Sequence, residues 1–331
     1  MAVSTQQAAM VRSAALLGSV IFVAWSTINA FNSVLAKVLL TAGMSSLDLV
    51  TVRTIGCATV FAVVLAFTAR RLMPLPVTAW PSVAAYGVIG IALTSGAYFF
   101  AISRIPIGIA LLLQYTAPLL VALWVRFVRG TRLPRQVWVG HALCLLGLSL
   151  TAQPSLTGEL DVWGVLAALA SGAGFAASFL LIEHGMATRH PFTQILWGYA
   201  FGGVAFAVVN PPHTMPWSAL TGTSRLPEVF GSFAVPTLGV LIGLVLIGAL
   251  TSALMVFGVR LVGSARAGIL GVTEPVISIA VAWLVLAEVL STIQLAGVAL
   301  ALGGIVIAEA AALPRRRRQP VGPPVSLGPP R

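Results

Sequence analysis

Ten stretches of almost unbroken apolar sequence, each about as long as a lipid bilayer is thick, constrain this chain more than any motif in it. A helix needs about 20 mostly apolar residues to cross roughly 30 Å of hydrocarbon. Such stretches run over residues 18–38, 47–69, 82–102, 107–128, 136–153, 162–183, 192–210, 234–258, 266–287 and 291–311. Clusters of Arg, Pro, Gly and Ser separate them. Barrel strands would alternate apolar and polar residues over about ten positions. The expected fold class is therefore an all-α membrane protein with ten transmembrane helices. Of the 331 residues, 58% are hydrophobic and 8% charged, against roughly 25% charged in soluble domains. A soluble globular protein and global disorder are both excluded by these numbers.

The net charge of +11 reads as membrane sidedness. With the N-terminus inside, the inner segments hold Arg12, Arg70, Arg71, Arg126, Arg129, Arg132, Arg135, Arg189, Arg260, Arg266, Arg315 to Arg318 and Arg331. The outer segments hold Arg104 and Arg225 and collect Asp48, Glu159, Asp161 and Glu228. Basic residues gather on the cytoplasmic side, so both termini are expected there, in a multi-pass protein of the cytoplasmic membrane. Nucleic acid is not expected as a partner, because no basic stripe is interleaved with aromatics. Lys37 and Arg53 read as snorkelling from the outer ends of spans 1 and 2. Cys57 and Cys144 lie in apolar runs without CxxC spacing and read as packing residues. The opening apolar run exceeds a usual signal-peptide core, so an uncleaved first span is expected.

Shifted against itself by 157 positions, the sequence aligns residues 96–152 with 253–309 without a gap. The informative matches are the punctuating ones: Thr116 with Thr273, Pro118 with Pro275, Gly140 with Gly297, and Gly147 with Gly304. A repeat of five spans, an odd number, must enter the membrane from opposite sides in its two copies. Inverted repeats of this kind occur in secondary transporters, with the substrate site at the repeat interface near the midplane. The expected organisation is a cytoplasmic segment over 1–13, a first five-helix repeat over 14–154, an external linker over 155–161, a second repeat over 162–311, and a basic, Pro-rich, disordered cytoplasmic tail over 312–331. The connection 211–233 is rich in Pro and polar residues and reads as a solvated connector or an outer lid.

Val272-Thr273-Glu274-Pro275-Val276, Leu286-Ala287-Glu288, Gln294-Leu295-Ala296-Gly297 and Gly303-Gly304 resemble the end of an EamA-type repeat. That family belongs to the drug/metabolite transporter superfamily, and the resemblance, covering residues 14–311, implies ten helices as two inverted five-helix halves. The first copy departs from the pattern, with Ala117-Pro118 in place of an acidic-Pro pair and Gly130-Thr131 in place of Gly-Glu. Leu113-Gln114-Tyr115-Thr116-Ala117-Pro118-Leu119 is similar to the amino-acid exporters, including the threonine/homoserine group.

Polar residues inside the apolar stretches mark the candidate site. Glu274 stands eight residues into span 9, roughly 12 Å deep. An acidic side chain there costs about 2.5 to 3.5 kcal/mol and must face a cavity or a partner. It either lines a substrate path, binding an ammonium group or an exchangeable proton, or is a protonated acid bonded to a neighbouring helix. Trp25, Asn29, Asn32 and Ser33 share one face of span 1. Asn29 is a candidate substrate ligand or an interhelical bond, and Trp25 a flat wall or cation-binding ring. Gln114, Tyr115 and Thr116 precede Pro118 in span 4, the counterpart of Thr273 and Glu274 before Pro275. Pro118 and Pro275 are expected helix breaks, and matching breaks in two repeats point to a transporter pocket. Tyr98, Ser178 and Met255 are further wall candidates, because their spans line the cavity in the proteins this chain resembles.

Gly198 with Gly202 and Gly239 with Gly243 have GxxxG spacing, compatible with internal seams or with a homodimer. The four histidines show no metal-ligand spacing and there is no phosphate-binding loop, so no metal, cofactor or ATP hydrolysis is expected. The preferred reading is a secondary transporter that exports a small polar metabolite, an amino acid or related compound, by alternating access, with protons as a candidate co-substrate. The alternatives are a membrane-embedded enzyme, which would need clustered catalytic residues, and a non-transporting sensor or chaperone subunit, which would need a soluble domain.

Overall fold

The computed structural model describes residues 2–151, 161–186, 189–215, 217–227, 229, 233–262, 273–287 and 290–312. The tail from 313 onward, residues 152–160 with most of the expected linker 155–161, and the first part of the ninth stretch lie outside the described residues. The described chain is mainly helical, and seven of its helices are long and apolar enough to cross a membrane. It is a membrane protein.

Helix α1 (Ala2–Thr41) begins well ahead of the first apolar stretch, and only Val20–Thr41 has the composition of a span. Helix α2 (Ser46–Thr68) starts at Ser45, whose hydroxyl oxygen accepts the Asp48 N–H as an N-cap. The third stretch is composite: α3 (Trp80–Ala85), a π-helical segment (Tyr86–Leu93) and α4 (Thr94–Arg104) follow one another without a turn. The fourth is broken into α5 (Ile107–Gln114) and α6 (Ala117–Phe127). Pro118 causes that break, since it has no N–H for the Gln114 carbonyl and its ring would clash with it. The remaining helices are α7 (Arg135–Thr151), α8 (Val162–Met186), α9 (Pro191–Val209), α10 (Thr237–Val262), α11 (Thr273–Leu286) and α12 (Thr292–Ala312). Asp161 caps α8 by accepting the Gly164 N–H at 2.7 Å and pairs with Arg104 at 3.1 Å. The Gly164 N–H, with the Arg104 guanidinium beside it, holds the Asp161 carboxyl below the usual carboxylate range.

The described residues of the connection 211–233 include regular structure. The connection carries two short 3₁₀ turns and β1 (Thr223–Arg225), which pairs antiparallel with β2 (Ala234–Pro236) just beyond it. Ser224 and Met215 are buried, and Ser224 shares a hydrogen bond with Thr237 at the start of α10.

Helices attract one another little through hydrophobicity when the solvent is lipid, so close packing and hydrogen bonds decide who neighbours whom. Small residues set the two closest seams. A Cβ on Gly140 would stand 2.5 Å from the Gly304 carbonyl oxygen, and one on Gly147 would stand 2.5 Å from that of Gly297. Residue numbers fall along one helix as they rise along the other, so α7 and α12 run antiparallel, joined through the glycines that mark the repeat. The second seam joins Gly87 of the π segment to Gly198 and Gly202 of α9. The Gly198–Gly202 spacing is thus an internal seam, whereas among the described residues a Cβ on Gly239 would meet nothing within 4 Å beyond its own helix, and one on Gly243 only Leu35. Elsewhere α1 packs on α10 and α11, α4 on α8, and α5 on α8 and α11. Positive φ recurs 157 positions apart, at Gly130 (67°) after α6 and at Ala287 (53°) after α11. The left-handed turn that glycine adopts freely in the first copy is imposed on a residue with a Cβ in the second.

Candidate functional site

Between α1, α2, α4, α5, α8, α10 and α11 lies a polar cavity of about 150 Å³. Helices of both sequence copies wall it. Glu274 is its acidic residue, buried to 4% exposure. The Asn29 amide donates to Glu274 Oε1 at 2.5 Å and the Tyr115 hydroxyl donates to Oε2 at 2.7 Å. The two donors come from residues 245 and 159 positions away in sequence, so the carboxyl group ties α1 and the α5–α6 break of one copy to α11 of the other. The break before Pro118 makes the second bond available. Tyr115 sits between α5 and α6 and has left the helical path.

A second hydrogen-bond chain borders the cavity. Gln114 Nε2 donates to Ser171 Oγ at 2.6 Å, and that hydroxyl donates to the Thr94 carbonyl at 2.8 Å. Gly172 lets α8 lie against the break, for a Cβ there would stand 2.9 Å from the Gln114 carbonyl oxygen. On α1, Ser33 shares a hydrogen bond with the Tyr98 hydroxyl at 3.1 Å, and Asn32 donates to the Leu244 carbonyl at 2.9 Å. Trp25 packs edge-on against Phe22 and beside Met255.

The structure brings Trp25, Asn29, Tyr98, Gln114, Met255 and Glu274 to this cavity, with Tyr115 on its carboxylate. Thr116, a substrate-binding candidate, and Ser178, a wall candidate, are not among the residues lining this cavity. The Thr116 hydroxyl returns to the Leu113 carbonyl within its own turn. Ser178 is one helical turn beyond Phe175, donates to the Phe175 carbonyl and abuts Gly90 of the π segment. The side chains of Thr273 and Pro275 lie outside the described residues. Glu274 borders the cavity and accepts hydrogen bonds from residues outside its own helix.

Arg53 is the residue that sequence reasoning missed. Instead of snorkelling outward it is 8% exposed and borders the cavity, with its guanidinium carbon 5.3 Å from the Phe99 ring centroid. It is the eighth residue of α2, roughly 10 Å along the helix, so the depth argument that singled out Glu274 applied to it equally. Lys37 also turns inward, donating to the Ile102 carbonyl at 2.7 Å. A larger groove of about 570 Å³ between α2, α9 and α10 is lined mostly by Val, Leu, Phe and Ala side chains, and offers little to orient a polar solute.

Comparison with known proteins agrees with this architecture. The sequence profile of the EamA-like transporter family matches residues 16–153 and 162–309, one copy in each half. An uncharacterized transporter of Synechocystis is 31% identical over 63% of this chain and 60% of its own length. The pseudopaline exporter CntI of Pseudomonas aeruginosa is 30% identical over 45% of this chain and 49% of its own. The threonine/homoserine exporter RhtA of Escherichia coli is 29% identical over 64% of each. The matched region thus spans less than two thirds of these relatives. A crystal structure 20% identical in sequence superposes on 91% of this chain and 98% of its own with a TM-score of 0.59, a likeness of fold. With two copies of the family's repeat between residues 16 and 309, the chain belongs to the EamA-like transporter family.

Proposed function

We propose that the protein is a secondary transporter that exports a small polar metabolite, an amino acid or a related compound, across the cytoplasmic membrane. Ten spans form two inverted five-helix halves, with both termini cytoplasmic, and the halves rock about the midplane cavity to open it to each side in turn. The observation that carries this reading is Glu274, buried in a cavity walled by both copies and held through both oxygens by Asn29 and Tyr115. An ionisable group at that depth is costly and is kept where it serves a pathway. The antiparallel glycine seam of α7 and α12 supports the inversion, because repeat-equivalent helices related by a two-fold in the membrane plane must meet head to tail.

Substrate binding in such a device is modest in strength. A ligand shifts the inward and outward populations only by its difference in affinity between them. The driving force is the substrate's own gradient or proton exchange at Glu274. Counterflow tests the reading: liposomes containing only the purified protein, loaded with unlabelled metabolites, should accumulate the labelled counterpart of a carried solute. Glu274→Gln should lower that rate by about 100-fold, the equivalent of ~3 kcal/mol, with membrane insertion unchanged. Full exchange by that variant removes Glu274 from the mechanism, and no exchange of any solute by the native protein ends the transporter reading. The same measurement separates a transporter from a membrane-embedded enzyme, which would convert the solute rather than exchange it.

A further inference from the structure

Arg53 has no role in the reading above, yet its surroundings are built around its charge. It lies on α2 of the first copy, is more than nine-tenths buried, and faces the same cavity as Glu274 of the second. Its Nε has no hydrogen-bond partner, and the guanidinium forms no ion pair among the described residues. What holds it is a ring face and a gap. Phe99 lies beneath the guanidinium at 5.3 Å, a cation–π contact that leaves the in-plane donors unused. Gly248 of α10 stands close by, where a Cβ would come 3.1 Å from Nε and 3.3 Å from Nη2. The planar group thus lies over an aromatic ring and close to bare backbone, with Nε unpartnered among the described residues. A buried cation without a counter-charge is costly, and a guanidinium is shaped for two parallel hydrogen bonds to a carboxylate.

We propose that Arg53 is the carboxylate-binding residue of the cavity, so that the substrate is a small α-amino acid with its carboxylate at Arg53 and its ammonium group toward Glu274. The assignment rests on the transporter reading and narrows it. One cation and one acid on different copies give the two ends of a zwitterion one partner each, and a substrate held between them bridges the two halves that must move. The cavity volume of about 150 Å³ is well below the roughly 300 to 1,000 Å³ of sites for drug-sized ligands, which restricts the occupant to a compact molecule. The seat for the carboxylate is preformed by Phe99 and Gly248.

The test uses the full-length protein in phosphatidylethanolamine–phosphatidylglycerol liposomes loaded with the common L-amino acids, with each labelled amino acid offered outside in turn. At least one should be exchanged. Its amide, which keeps the ammonium group and loses the carboxylate, should compete at least about tenfold more weakly, the scale of one charge-assisted hydrogen-bond pair. Arg53→Gln should lower exchange by a similar factor and abolish the discrimination between acid and amide, and Arg53→Lys should restore part of both. Equal competition by acid and amide in the native protein overturns the proposal without recourse to any variant, so a folding defect in Arg53→Gln cannot shield it. Exchange of a different polar solute with no amino acid carried also overturns it while leaving the transporter reading intact. Absence of all exchange removes both.

Discussion

The α7–α12 seam and the polar cavity lie in one bundle and use the repeat in opposite ways. At the seam, each repeat-marking glycine of one copy faces the glycine equivalent to its copy-mate, Gly140 on Gly304 and Gly147 on Gly297, and the two backbones meet with no room for a Cβ. At the cavity the equivalent positions have diverged. The first copy offers Tyr115, beside Thr116 and Ala117, whereas the second offers Glu274, and the halves stand far enough apart to leave about 150 Å³ between them. Packing that serves both halves alike tolerates symmetry. A site that binds an asymmetric solute needs different chemistry from each half, and a hydroxyl donor facing a carboxylate is the smallest such difference. The contrast teaches that contact holds the seam together, and that polar pairing across copies holds the cavity.

Filling the seam should have the largest effect. Gly147→Leu forces side-chain atoms into the Gly297 carbonyl and the Ala301 backbone, and overpacking of this kind costs ~3 kcal/mol or more where backbone cannot yield. The expected result is loss of most of the monodisperse protein on size-exclusion chromatography after extraction. A variant that extracts and exchanges solute normally would show that α7 and α12 need no close approach. The cavity should respond differently, losing function before stability. Tyr115→Phe removes one donor from Glu274 and keeps the ring, which packs edge-on against Phe175. Counterflow should fall about tenfold while the thermal midpoint in detergent changes little, as expected when a hydrogen bond to a charged group worth roughly 1.5 kcal/mol is lost. A large drop in thermal midpoint would make Tyr115 part of the packing and erase the distinction between the regions. The smallest effect belongs to Gly239→Ala. Among the described residues, no neighbour beyond its own helix lies within 4 Å of a Cβ added there, so the change should be neutral or add up to about 1 kcal/mol from helix propensity. Destabilisation at Gly239 would mean that glycine content rather than contact governs these helices, and would point to a neighbour outside the single chain.

Much of the architecture was legible before any coordinates. Length and continuity of the apolar stretches announce membrane helices because the cost of placing polar backbone in lipid is large and nearly the same for every residue. The 157-residue shift was readable through Thr116, Pro118, Gly140 and Gly147, residues that carry backbone constraints and stand out against interchangeable apolar neighbours. The inward orientation of Asn29, Gln114 and Glu274 is readable in the sequence, since a polar group at that depth must look inward. Arg53 carried the same signal and was misread as an outward snorkel, because its long side chain made either direction plausible from one dimension. Thr116 and Ser178 were misplaced for a related reason: small hydroxyls satisfy themselves on their own helix carbonyls and need no cavity.

The amino-acid sequence by itself determined that this chain lives in a membrane, that it is built twice from one repeat, and that a carboxyl group is buried where only a purpose or a partner could keep it. Those conclusions follow from free energies that add along the chain. Only the tertiary structure decided that Tyr115 and Asn29 hold that carboxyl group from two other helices, that Arg53 turns into the same cavity, and that the repeat-marking glycines of α7 and α12 pack against each other. Helices that are apolar nearly all the way round carry little record of which face looks in, so those pairings depend on neighbours that meet only once the bundle closes.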